Sequence, residues 1–324
     1  MGLSRRKFLH LAAGAAALPY SQVAWAQAYP SRNVRLVVGY AAGGGTDIIG
    51  RLAGLRLSER LGQQFIIENR PGATTNVGTE AVIRSPADGY TLLLATSSNA
   101  INATYFDKLT FNFVADTVPV AGIMRSPMIM VVNPTSPAKT VAEFIAHAKA
   151  NPRKLNMASA GAGGADHMCG EQFKMMTGTE MTHVPYRGLA PALTDLMSGQ
   201  VDVVFSSYPA AIEFIKGDQL RALGVTSAAR FEGAPHIPSV SETVPGFDTS
   251  QWYGIVAPKD TPAEIVTRLN KEMNAVLAEA SMKARLFEFG GEPLINTPAE
   301  FGKLVVDDTE KWGKVVRALN IRSP

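Results

Sequence analysis

The chain has 324 residues, 46% of them hydrophobic and 18% charged, with 31 Lys and Arg against 28 Asp and Glu. Three of the basic residues, Arg5, Arg6 and Lys7, lie in an N-terminal address; without them the two signs balance at 28 each, which excludes the basic footprint of a nucleic-acid binder. A single cysteine, Cys169, excludes an intrachain disulfide and reads as a small buried hydrophobe.

The address is Ser4-Arg5-Arg6-Lys7-Phe8-Leu9, then an apolar run from Leu11 to Leu18 and a small-x-small site at Ala24-Trp25-Ala26. This reads as an export signal over residues 1–26, by the twin-arginine route rather than the general secretory one, cut after Ala26, which would put the mature chain outside the cytoplasmic membrane. The apolar run falls short of the about 20 residues that a membrane span needs.

Strand and helix signals then alternate. Val34–Val38 is a β-branched run expected as a buried strand, and Ile48, Leu52 and Leu55 follow at helical spacing until Gly62 stops them. Phe65–Ile67 reads as a second strand, Val77–Arg84 as a helix and Tyr90–Ala95 as a third strand, with turns at Asn69–Gly72 and Asp88-Gly89. This order predicts an α/β fold with a mostly parallel sheet covered by helices. Two apolar runs, Val118–Met124 and Met128–Val132, are split by Ser126-Pro127 and read as the crossing into a second domain.

In that domain a capping box at Thr140 opens a helix ending at Asn151-Pro152. Strand Lys154–Ala158, helix Asp166–Met176, strand Met181–Val184, helix Ala190–Met197 and strands Val201–Phe205 and Leu220–Val225 follow. Trp252–Ala257 leads back, and capping boxes at Thr261 and Thr297 open two amphipathic helices. The expected layout is a discontinuous first domain, 27–124 with 251–324, and an inserted second domain, 125–250.

Two glycine-rich turns stand out, each between a strand and a helix start: Gly39 to Asp47, and Ser159 to His167. A helix start has unpaired N–H groups and partial positive charge, and glycines let a ligand approach them. One such turn per domain points to a cleft that grips an anion from both sides. Asp47 and Asp166 at these starts read first as caps, and His183 as structural. Arg70 and Arg187 are the best cations for a carboxylate, although either also suits a surface acid. The histidines and Cys169 show no metal-ligand spacing, so neither metal nor cofactor is expected.

Several short segments resemble the solute-binding proteins of tripartite tricarboxylate transporters, the Bug-type family. They are Tyr29-Pro30-Ser31-Arg32, Gly43-Gly44-Gly45-Thr46-Asp47, Glu68 to Ala73, Asp88 to Leu93, Val184-Pro185-Tyr186-Arg187-Gly188 and Gly199-Gln200-Val201-Asp202. The resemblance implies a two-domain clamp of the type II periplasmic-binding-protein kind, closing on a small carboxylated solute and delivering it to a two-subunit membrane permease. A monomer is expected. The resemblance places Tyr40, Ala42, Gly43, Gly44, Thr46 and Asp47 on one wall of the cleft. It places Ser159, Gly161, Gly163, Gly164, Ala165 and His167 on the other, with Tyr186 and Ser206 facing the solute and Ala73–Asn76 and Thr96–Asn99 flanking it. Two departures bear on the solute. Ser206-Ser207 stands where many members have an acid and an amide, which argues against an amino acid. Ala165-Asp166 stands where hydroxyl residues are frequent, and the acid opposes a direct anion contact there.

An enzyme is the alternative from another class. A dinucleotide turn needs G-x-G-x-x-G, and Met168 stands where the third glycine would be after Gly161 and Gly163. G-x-S-x-G and P-loop patterns are absent. A periplasmic sensor that feeds a membrane receptor kinase would use the same fold and cleft, and the sequence does not separate it from a transport receptor.

Overall fold

The computed structural model describes residues 29–322; the export signal and its cleavage point lie outside the described residues. β1 (Val34–Val38) pairs in parallel with β2 (Phe65–Asn69) and with β3 (Thr91–Thr96). Its run of Val and Leu suits a strand covered on both faces. β3 runs antiparallel to β9 (Ser250–Pro258), and β9 antiparallel to the first part of β4 (Thr117–Val132). The second part of β4 pairs with β7 (Val203–Ser207) and β8 (Arg221–Val225). β7 continues in parallel to β5 (Asn156–Ser159), and β5 to β6 (Thr182–Pro185). The result is two lobes, each a mixed sheet whose outer strands are parallel and whose strands next to β4 and β9 are antiparallel, rather than the mostly parallel sheet expected. Helices cover the faces of each sheet, and the lobes are joined where Arg125–Pro127 runs beside Ser250–Trp252.

The two apolar runs around Ser126-Pro127 thus form one strand of 16 residues rather than two. Pro127 interrupts no pairing that a central strand requires, because β4 changes partners at that point, from β9 to β7 and β8.

Each lobe has its own core. Leu36, Val38, Leu94 and Ile255 pack with Ile49, Ala53 and Leu57 of α1 (Gly45–Leu61) and Leu269 and Met273 of α9 (Ala263–Ala278). In the second lobe Met130, Met157 and Phe205 pack with Phe144 of α5 (Val141–Ala150) and Phe173 of α6 (Ala165–Thr177). The buried face of α1 is not the expected stripe, since Leu55 is 58% exposed. α11 (Pro298–Leu319) spans both lobes: Phe301 and Val305 pack with Val37, Leu93 and Trp252 in a separate cluster of the first lobe, and Trp312 and Val316 enter the core of the second.

The capping box at Thr297 forms as expected, whereas Thr261 donates its hydroxyl to the Pro258 carbonyl at 2.7 Å and Pro262 takes the cap position. Three helices were not among those expected: α3 (Ser97–Tyr105), α8 (Tyr208–Lys216) and α10 (Ala280–Glu288), of which the last two are short amphipathic helices. α3 hides because its buried face is polar. Asn99 donates to Thr75 and Thr79 at 3.1 and 2.8 Å, and Asn102 to Asn76 at 3.0 Å. A helix held by such bonds leaves no apolar stripe to read.

Candidate functional site

The two glycine turns meet. The first leads from β1 into α1, the second from β5 into α6, and the lobes press them together. Ala165 N–H donates to Ser98 Oγ at 3.1 Å, Thr74 Oγ1–H to the Ala162 carbonyl at 2.6 Å and Ala41 N–H to the Arg187 carbonyl at 3.3 Å. Between the turns lies a narrow cavity of about 390 Å³, part of it open to solvent. The hydrogen bonds between the two lobes hold the clamp shut around it.

Tyr40, Gly44, Gly45, Thr46, Thr96 and Ser98 of the first lobe face Ala160, Ala165, Asp166, Leu189 and Ser207 of the second across this cavity, and Gln251 of β9 also lines it. Ser98 is the hub. Its oxygen accepts from Tyr40 OH at 2.8 Å and from Ala165 N–H, so both lone pairs are used and its own proton remains to be given. Ser207 Oγ, Gln251 Nε2 and Tyr253 OH lie close together and fully buried, yet none meets hydrogen-bond geometry with a partner. Buried polar atoms left this way are costly unless something else satisfies them.

The turns hold themselves by matching devices. Gly43 and Gly163 take φ of +84° and +83°, which favours glycine. Gly43 N–H donates to Asp47 Oδ2 at 3.0 Å, and Gly163 N–H to His167 Nδ1 at 3.0 Å. Burial opposes the charge of Asp47, but hydrogen bonds from Arg51, the Gly43 N–H and Asn69 outweigh it and hold the carboxyl below its ordinary 3.8. His167 Nδ1 is an acceptor here, so the ring proton sits on Nε2, which faces Glu171 at 3.6 Å. Burial also opposes the Glu171 charge, yet bonds to His167 and Lys174 draw it down to about 2. His183 stacks on His167 at 3.8 Å and bonds Ser159 Oγ at 2.6 Å; burial, then the neighbouring His167, lowers it to about 3, so it is neutral.

The first turn keeps donors to spare. Among the described residues, the N–H groups of Gly45, Thr46 and Asp47 find no acceptor within the protein. At the second turn Asp166 takes the Ala160 N–H, Ser98 the Ala165 N–H and Ser159 Oγ the Gly161 N–H. Asp166 is buried, and burial raises its carboxyl to about 6 against the pull of the Ala160 N–H, of the neighbouring His167 and of the His167 and Asp166 N–H groups.

Of the residues expected at the site, Tyr40, Gly44, Thr46 and Ala165 line the cavity. Gly161 and Tyr186 line the neighbouring groove, and Tyr186 OH bonds Asp195 at 2.6 Å. Asp47, His167 and Ser159 brace the turns from behind, Gly163 and Gly164 form the bend, and Ala42 and Gly43 are exposed. Ser206 is buried with its hydroxyl on the Ser207 carbonyl, while Ser207 lines the cavity. Arg70 pairs with Glu68 at 2.5 Å, and Arg187 is exposed at the groove. Sequence reasoning gave no weight to Leu189 and Gln251. Gln251 sits at the start of β9, where only the pairing with β4 shows which way it faces.

Comparison with known proteins follows the same line. Residues 49–321 match the model of the tripartite tricarboxylate transporter family receptor. The protein BugT of Bordetella pertussis is 33% identical over 295 residues, 90% of each chain. The structure of R. palustris Rpa4515 with adipate superposes with a TM-score of 0.89 at 37% identity, covering 91% of this chain and 99% of that one. MatC from Rhodopseudomonas palustris with bound malate superposes at 0.85 and 29% identity, covering 89% and 100%.

Proposed function

The chain belongs to the tripartite tricarboxylate transporter receptor family, and from that premise we propose that it captures a small carboxylate between its lobes and hands it to a two-subunit membrane permease. The family consists of solute-binding receptors, so the chain is a receptor and not an enzyme. We place it in the periplasm, in line with its twin-arginine segment and with a structural relative titled periplasmic binding protein BugD. Among the described residues no helix is long and apolar enough to cross a membrane. The clamp halves in this reading are 27–124 with 251–324 and the inserted 125–250.

One observation carries the solute class: the unpaired N–H groups of Gly45, Thr46 and Asp47 at the start of a 17-residue helix, bordering the cavity. Such a start favours an anionic oxygen. Thr46 and Ser98 add hydroxyl donors. The relatives with adipate and malate make a dicarboxylate the first choice. A closed cavity of this size requires the lobes to part for entry, about the two strands β4 and β9 that run between them. The test is a thermal-shift screen of di-, tri- and aromatic carboxylates on protein that has been unfolded and refolded to strip bound solute. A saturable rise in melting temperature with a dicarboxylate supports the reading. No response to any carboxylate overturns it.

A further inference from the structure

Asp166 is the one carboxyl group lining the closed cavity, and no Lys or Arg lines it. The titratable groups facing it are Tyr40 from the first turn, Tyr253 from β9, and His167 and Cys169 from its own helix. From α3 and β7 the hydroxyl residues Ser98 and Ser207 line the same cavity. His167 follows it on the same helix, with its Nδ1 turned to the Gly163 N–H. A buried carboxylate with no Lys or Arg beside it is unfavourable, and an arriving anion makes it more so. The conflict ends if the carboxyl takes up a proton. It then changes from acceptor to donor. Of the N–H groups on this wall, those of Ala160, Gly161, Gly163 and Ala165 are used within the protein, and those of His167 and Asp166 lie against the Asp166 carboxyl itself.

We propose that Asp166 contacts the solute and sets its specificity, holding the distal carboxylate of a dicarboxylate through one shared proton taken from water as the clamp closes. This rests on the carboxylate reading of the cleft. The balance is simple: the proton leaves solvent, resides on an Asp166 oxygen and is hydrogen-bonded to a solute oxygen, and no bond of the solute changes. Ser207 Oγ and Gln251 Nε2, buried beside Tyr253 OH, line the same cavity and would complete the solute's shell. Burial already raises the Asp166 carboxyl to about 6, and a second anion beside it raises it further. The first wall binds through fixed donors and shows no such dependence. The second wall therefore selects for a carboxylate that can share a proton and against one held away from it.

The experiment is calorimetric titration of refolded protein with adipate and with malate between pH 6.5 and 8.5, in two buffers of different ionisation enthalpy. Over this range the probes stay fully ionised, so proton uptake belongs to the protein. The expected result is uptake of about one proton per bound solute and a loss of affinity of about tenfold per pH unit. Asp166→Asn keeps an oxygen for the Ala160 N–H and presents a permanent donor. It should bind without proton uptake, with flat affinity, and more tightly than the parent at pH 8.5. Saturable binding by the parent with no proton uptake overturns the proposal while leaving the carboxylate reading intact. So does an Asp166→Asn protein that keeps the parental pH slope, which would assign the proton to His167 or His183. The proton count on the parent protein decides the matter even if the variant folds poorly. Absence of binding by these probes and by the wider carboxylate screen overturns both readings together.

Discussion

Gly43 and Gly163 sit at the same bend of two turns, and the side chain four residues on, Asp47 in one and His167 in the other, accepts the N–H of each. The residue just before that brace looks into the cavity: Thr46 in the first turn, Asp166 in the second. One backbone device is thus used twice with opposite outcomes. The first turn leaves the N–H groups of Gly45, Thr46 and Asp47 free, whereas at the matching positions of the second the Ala165 N–H goes to Ser98 and those of Asp166 and His167 lie against the Asp166 carboxyl. An anion-attracting helix start is a site only if its own side chains leave it open. The glycine pattern in the sequence looks alike in both turns and does not reveal this.

The sharpest way to break the comparison uses the position after the cap, Gly45 in the first turn and Ala165 in the second. A Cβ on Gly45 would stand 2.2 Å from Ser207 Oγ and 3.0 Å from Ser207 Cβ, with Tyr253 OH at 3.3 Å. Ser207 belongs to the other lobe, so the clash exists only when the clamp is shut. Gly45→Ala should keep its fold by circular dichroism and weaken solute binding by about five- to hundredfold, the overpacking range of about 1–3 kcal/mol. Ala165→Gly removes a methyl that the second turn already accommodates, and its binding should stay close to parental. Equal losses in the two variants would mean that the lobes do not close on the first turn in this way.

The two acids should differ in the sign of their effect on stability. Asp166 has a folded value near 6 against 3.8 unfolded, so folding is favoured when it is protonated. That contribution is full below about pH 4 and is lost as pH rises through 6. Asp166→Asn should therefore be more stable than the parent at pH 8, by about 3 kcal/mol for a shift of this size, and the difference should vanish below pH 4. Asp47 is the reverse, with its folded value depressed by Arg51, Gly43 and Asn69. Its contribution is present above 3.8 and lost as pH falls through the lower folded value. Asp47→Asn should melt earlier at neutral pH, by about 1–2 kcal/mol given that Arg51 is half exposed, and match the parent in acid. Melting curves of both variants from pH 3 to 8 check the crossing; parallel curves would show that the two carboxyls are not held as described.

The succession of strands and most of the helices were legible because their apolar residues repeat at periods of two and 3.6, whereas the order of the strands within the sheet was not. β1, β3 and the stop at Gly62 follow directly from Val34–Val38, Leu92–Leu94 and the left-handed glycine. α3 was not legible as a helix, because Asn99 and Asn102 replace an apolar face with hydrogen bonds that only the folded neighbour supplies. At the site, the glycine turns and the flanking Thr96–Asn99 were legible from local pattern and family resemblance. Gln251 and the choice of Ser207 over Ser206 were not. Both depend on how β4, β7 and β9 are paired, and a one-residue change of register turns a side chain to the opposite face. The asymmetry of the two turns was half visible, in that Asp166 interrupts a run otherwise suited to an anion. That its carboxyl takes the Ala160 N–H needed the coordinates of both.

The smallest expected effect is at Gly44, the cap of α1, and it sharpens what the glycines are for. Gly44 has φ −83° and ψ 169°, an extended conformation open to any residue. A Cβ there would meet nothing nearer than the Leu189 N at 3.8 Å, an ordinary contact. The position borders the cavity, but its added methyl would lie against Leu189 and not against the N–H groups of Gly45 to Asp47. Gly44→Ala should therefore lower stability by only about 0.5 kcal/mol, the scale of a weakened cap, and change affinity by less than about threefold. Calorimetry beside Gly45→Ala gives the contrast: a run of three glycines in which one residue sets the bend, one is replaceable and one keeps the closing lobes apart by a single methyl's width. A large loss at Gly44 would instead mean that the solute itself presses against the cap, and that the first wall reads shape as well as charge.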